Sequence, residues 1–157
     1  VDFGLFGIIL DNVEELAPIA EAGAIGFKLF MGETTGGNPC PPDETIFAAF
    51  RRLAAVDGLA AVHAENNAML QALKSDLRAS GRRDARAHLE SRPWFVEAEA
   101  IGRAAAMAAG AGNRLHVVHV STRQGLERVR QARREGVRVE RTALMRVLSD
   151  LRSSLFR

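Results

Sequence analysis

Ala24-Ile25-Gly26-Phe27-Lys28-Leu29-Phe30-Met31-Gly32 decides how the rest of the chain is read. Residues 25–31 form a short apolar run between glycines, the pattern of a buried strand. Before it, residues 12–21 read as a helix that Asn12 could cap and Gly23 could end, and residues 3–10 (FGLFGIIL) as another buried strand. After it comes a Gly/Pro-rich loop, residues 32–43 (GETTGGNPCPPD), whose Asp43 could cap a helix with Ile46, Phe47, Phe50 and Leu53 at helical spacing. Strand 59–63 follows, then a polar helical region to about Glu90 interrupted at Ser80-Gly81. An Ala-rich helix over 95–109, a strand over 115–120, a helix over 124–135 and a strand starting at 137–139 complete the series. Strands alternating with helices imply βαβ units and a parallel α/β sheet. Continuous apolar strands suggest that both sheet faces are covered.

The chain has 157 residues, 47% hydrophobic and 25% charged, enough for one domain with a real core. No apolar run is long enough to span a membrane, so no membrane partner is expected. The net charge of +2 does not call for nucleic acid. Arg128, Arg130, Arg133 and Arg134 alternate with Leu126, Val129 and Ala132 as on an amphipathic surface helix, without stacking aromatics nearby. Cys40 is the lone cysteine, which excludes an internal disulfide and fits a reducing, cytoplasmic compartment. The loop GETTGG lacks the spacing of a phosphate-binding loop and reads as a mobile loop over a site. His88 lies in a polar stretch and reads as a surface residue.

Three strands each carry a metal-competent residue near the C-terminal end: Lys28, His63 and His119. In a parallel sheet those ends form one face, where active sites lie. An ammonium among apolar neighbours lowers its pKa or finds a partner. Lys28 could therefore be salt-bridged or snorkelling, a Schiff-base nucleophile, or, after reaction with CO2, an anionic carbamate ligand. His63 and His119 each fit a hydrogen-bonded core histidine or a ligand. His116 lies three residues before His119, and on a regular strand the two point to opposite faces. His119 is nearer the strand end and is the better candidate, which leaves His116 as a packed or helix-facing residue.

GFKLFMG (26–32), VHAEN (62–66), ESRPWFVEAEAI (90–101) and RLHVVHVST (114–122), in this order, resemble the cyclic amidohydrolases that comprise allantoinases, hydantoinases, dihydropyrimidinases and dihydroorotases. The resemblance covers about residues 26–140. It implies a (β/α)8 TIM-type barrel, of which this chain would supply roughly strands 3 to 6 with their helices. It also implies two divalent metal ions, zinc in most members, and a small cyclic amide substrate. Lys28 would be the CO2-derived carbamate bridging the metals, with His63 and His119 as further ligands. The second metal would need an HxH pair on the first strand and an aspartate on the eighth, which is also the general base. The histidines here are His63, His88, His116 and His119, without an HxH, so no catalytic residue is expected within the chain.

The resemblance therefore makes residues 1–140 a central barrel segment of a longer hydrolase that forms homo-oligomers. Alone it is expected to be inactive. SRPWFVEAEAI and RLHVVHVST favour an allantoinase-like member, and the absence of tyrosine weakens the hydantoinase assignment. Dihydroorotase or hydantoinase chemistry, a metal-free Schiff-base barrel and a non-catalytic assembly protein are the alternatives. The family continues after Val-x-x-Glu with a Cys-Pro-His segment. Residues 141–157 (RTALMRVLSDLRSSLFR) lack it and read as a divergent tail compatible with a one-base frameshift.

Overall fold

The computed structural model describes residues 2–34 and 36–143. The proposed frameshifted tail lies outside the described residues from position 144 onward. Its first three residues fall within the last strand, which crosses the boundary at residue 140.

Five strands form one sheet: β1 (Phe6–Ile8), β2 (Gly26–Phe30), β3 (Leu59–His63), β4 (Arg114–Val120) and β5 (Val139–Ala143). All neighbouring pairs are parallel, and the spatial order is the sequence order. The crossovers carry α1 (Leu16–Glu21) after β1, α2 (Asp43–Ala54) after β2, α3 (Asn67–Ala79), α4 (Ala85–Glu90) and α5 (Trp94–Ala111) after β3, and α6 (Arg123–Arg134) after β4. A doubly wound sheet reverses its strand order to place helices on both faces. Without a reversal, right-handed crossovers put every helix on one face, as in a barrel wall.

Burial follows from that. Phe27 and Leu29 of β2, Ala60 and Val62 of β3, and Leu115 and Val117 of β4 join the core with Ile46, Phe50 and Leu53 of α2 and Ile101 and Ala104 of α5. The alternate residues, Lys28, Phe30, His63, His116 and Val118, are only partly buried. The strands are thus covered by helices on one face, against the expectation of two covered faces.

The helix ends have local causes. Asn66, Asp84 and Thr122 each accept a hydrogen bond from the backbone N–H three residues on and so cap α3, α4 and α6. Gly112 ends α5 at φ +80°. The expected Asn12 cap does not form: its Oδ1 accepts from Leu10 N–H at 3.0 Å. A 3₁₀ turn (Val13–Glu15) precedes α1 instead. Pro18 has no N–H to bond Glu14, so regular helix cannot extend back to Asn12. Asp43 opens α2 behind the N-cap residue Pro42 and pairs with Arg103.

β1 departs from the buried strand expected over 3–10. It has three residues and pairs with β2 alone among the described strands. Phe3 is 84% exposed, Leu5 67% and Ile25 57%. A hydrophobic run indicates a strand but does not distinguish an interior position from an edge. Such an apolar edge templates pairing with other chains. The purified chain is expected to self-associate with rising concentration, and Phe3→Lys with Leu5→Lys to reduce it. Sedimentation velocity of both forms checks this.

Candidate metal centre

The register places Lys28 beside Ala61, and Ala61 beside His116, on the face without helices. Two residues further along, Phe30 pairs with His63 on the same face. The Lys28 Nζ lies 4.1 Å from the centroid of the Phe30 ring and donates to Leu29 O at 3.1 Å. It has no carboxylate partner among the described residues. Burial lowers its pKa from 10.5 to about 8. The salt-bridged role open to Lys28 in the sequence is therefore not the one adopted.

His63 and His119 meet. Their ring centroids are 4.8 Å apart and His63 Nδ1 is 3.0 Å from His119 Nε2. His63 Nε2 lies 3.0 Å from Glu65 Oε2. Burial, then the neighbouring His63, lowers the pKa of His119.

His116 corrects the sequence reading. It lies on the same face as Lys28, not against the helices, with Nε2 at 3.2 Å from Thr142 Oγ1. The β4–β5 register shifts between Val117 and Val120, and His119 takes φ +45°. This bulge breaks the period of two and swings His119 back onto the open face. Both histidines therefore occupy one face. The left-handed backbone at His119 is unusual outside glycine, and Thr142 Oγ1 accepts its N–H at 3.2 Å.

The turn after His119 is held from α5. Glu97 accepts from Ser121 N–H at 2.8 Å, Ser121 Oγ at 2.7 Å, Thr122 N–H at 2.9 Å and the Thr122 hydroxyl. Gly125 permits this approach, because a Cβ there would run into Glu97 and Ile101. Glu97 lies in the motif ESRPWFVEAEAI, yet nothing in its spacing marks it as the clamp on β4. Arg92 was also unassigned by sequence. Its Nε pairs with Glu65 Oε1 at 3.4 Å, and its Nη1 lies 3.2 Å from His88 Nδ1. His88 is exposed, as expected, and stands on this rim. The first residues of the loop 32–43 are held as well: Glu33 pairs with Lys74 at 2.6 Å, and its N–H donates to Asn67 Oδ1 at 3.1 Å.

His63, Glu65, Arg92, Glu97, His119 and Ser121 border a cleft of about 350 Å³. A larger cavity of about 600 Å³ lies between α3 and α4, away from the histidine pair, and shares Arg92 and Glu33 with the cleft. The cleft, not the larger space, adjoins the chemistry. Among the described residues no three or more His, Cys, Asp or Glu come together to hold a metal ion. Lys28, an amine, stands on the same face as the two histidines. The two ring nitrogens stand at hydrogen-bond distance, 3.0 Å, close to the roughly 3.3 Å that separates two nitrogens on a tetrahedral zinc.

Two measurements follow from this geometry. Lys28 titrates near 8 in the fold and near 10.5 when unfolded, so over that interval the unfolded chain holds more protons and stability rises with pH. Lys28→Met should raise the melting temperature at pH 7 and flatten that rise. Thermal melts at several pH values check it. Glu97→Ala should cost about 1 kcal/mol by removing the acceptor of the exposed Ser121 N–H and the half-buried Thr122 N–H, read from urea unfolding.

No helix among the described residues is long and apolar enough to cross a membrane. No family model matches the chain. An allantoinase of Solibacter usitatus is 42% identical over 139 residues, covering 86% of this chain and 30% of that protein. An L-hydantoinase of Paenarthrobacter aurescens is 40% identical over 138 residues, covering 87% of this chain and 30% of that protein. Among solved structures, the L-hydantoinase from Arthrobacter aurescens superposes with a TM-score of 0.86 at 38% identity, covering 91% of this chain and 32% of that one. The dihydropyrimidinase from Brevibacillus agri gives 0.84 at 33% identity with the same coverage. The chain spans about a third of the length of these relatives. In sequence and in the five-stranded parallel arc, the chain is similar to one segment of the allantoinases and hydantoinases, which are cyclic amidohydrolases.

Proposed function

We propose that the chain carries the lysine and two-histidine half of a binuclear metal centre in an enzyme that hydrolyses cyclic amides, with an allantoinase-like ring as substrate. The observation that carries this reading is the pair of ring nitrogens, His63 Nδ1 and His119 Nε2, 3.0 Å apart on the face that also bears Lys28. The 42% identity to an allantoinase supports that ring, beside 40% to an L-hydantoinase.

The residues have separable tasks. The neutral amine of Lys28, accessible near pH 8, adds CO2 to give N–CO2⁻ and releases a proton. The product is an anionic oxygen donor on a strand that otherwise offers none. His63 and His119 contribute lone pairs as neutral imidazoles. Divalent ions held there, zinc by family resemblance, would polarise a ring carbonyl and lower the pKa of water. The cleft beside them has room for a small ring. No general base is assigned within the chain, and the complete reaction belongs to a longer, homo-oligomeric protein.

The test is direct. With ¹³C-bicarbonate at pH 8, the chain should show a carbamate carbon resonance that disappears in Lys28→Arg. Zinc bound per chain in bicarbonate should fall below half in His63→Ala and in His119→Ala. A wild-type chain without either signal would overturn the proposal. Borohydride trapping of a carbonyl substrate on Lys28 would instead favour Schiff-base chemistry.

A further inference from the structure

The hydrogen-bond geometry around His63 has a direction that the metal reading does not use. A carboxylate only accepts. Glu65 Oε2, 3.0 Å from His63 Nε2, therefore requires the ring proton on Nε2. In the neutral ring that leaves Nδ1 as the bare nitrogen, and Nδ1 is the atom facing His119.

Glu65 is itself held. Arg92 Nε lies 3.4 Å from its other oxygen, and the two side chains are 21% and 15% exposed, so the pair is only partly screened. Arg92 is steadied in turn by His88 Nδ1 and Ser91 Oγ, both at 3.2 Å from its Nη1. The backbone is fixed too. Asn66 N–H donates to Val96 O at 2.9 Å. A side chain at Gly32 would strike Glu65 Cβ and its carbonyl, so Gly32 lets the β2 end close on this residue. The end of β2 and Val96 of α5 thus hold the backbone at and beside Glu65, while Arg92 of the α4–α5 turn meets its carboxylate.

We infer that Glu65, braced by Arg92, is a positioning residue that sets the tautomer of His63 and presents Nδ1 to a metal ion. This rests on the proposed metal centre for its purpose but not for its geometry. A carboxylate behind a ligating histidine fixes the ring and raises its basicity, and losing one costs about 10–100-fold in metal affinity.

Long-range ¹H–¹⁵N correlation of the imidazoles in the ¹⁵N-labelled, metal-free chain reads the tautomer. The wild-type spectrum should show His63 protonated on Nε2. Glu65→Ala should give a mixture of tautomers and lower zinc affinity, measured by competition with a chromogenic chelator in bicarbonate, by about 10–100-fold. Glu65→Gln keeps an acceptor and should retain the tautomer with a smaller loss. Arg92→Ala should also weaken zinc less than Glu65→Ala. A wild-type Nδ1–H tautomer overturns the inference by itself. So does a Glu65→Ala chain with the wild-type melt, tautomer and zinc affinity. If Glu65→Ala does not fold, the wild-type and Glu65→Gln spectra decide. A wild-type chain that takes up no zinc defeats the proposed metal centre, while the spectra still decide what Glu65 does to His63.

Discussion

Helices α2, α5 and α6 pack on one face of the sheet, and that one-sided cover governs everything else. It sorts each strand into two sets of residues. Phe27, Leu29, Ala60, Val62, Leu115 and Val117 go to the dry side. Lys28, His63 and His116 go to the other. A charged amine would be costly on the dry side. On the open side it is half-buried, which lowers its pKa without excluding it from solvent. The alternation of the pleat thus separates the part of the sequence that stabilises the fold from the part able to bind and react.

The bulge in β4 is the exception that completes the site. A regular strand would turn His119 toward the helices. The left-handed residue and the register shift after Val117 turn it toward His63. Such a backbone needs outside support, and it comes from both neighbours: Thr142 on β5 accepts the His119 N–H, and Glu97 on α5 holds Ser121 and Thr122. Three of the four residues from His119 to Thr122 are therefore tied to two other elements. Glu97 and Thr142 belong to the site through what they hold in place.

Much of this was legible in the sequence. Strand β3 coincides with the expected 59–63, and β2 differs from its expected run by one residue at each end. Lys28, His63 and His119 were singled out because polar groups at strand ends interrupt apolar runs. Three kinds of information are missing from it. Period-two reasoning assumes an unbroken pleat, and LHVVHV contains no glycine or proline to announce a bulge, so His116 was turned to the wrong face. Pairings across the fold leave no local trace either. Arg92 and Glu65 meet only because α3 and α4 return the chain to the end of β3. β1 shows a third gap, since an apolar strand has the same local sequence at an edge as in the middle of a sheet.

The strand order has one more consequence. Each strand pairs only with its neighbours in sequence, so the sheet grows by adding one strand and crossover to the last. Coupling then runs chiefly between adjacent units, much as in a repeat array. Damage at one end of the row should reach the other end weakened at each step. β3, with a strand on either side and α5 packed nearby, is the best insulated member, and it carries His63 at its tip. The residue that meets both His119 and Glu65 thus sits where fraying of either margin is felt least.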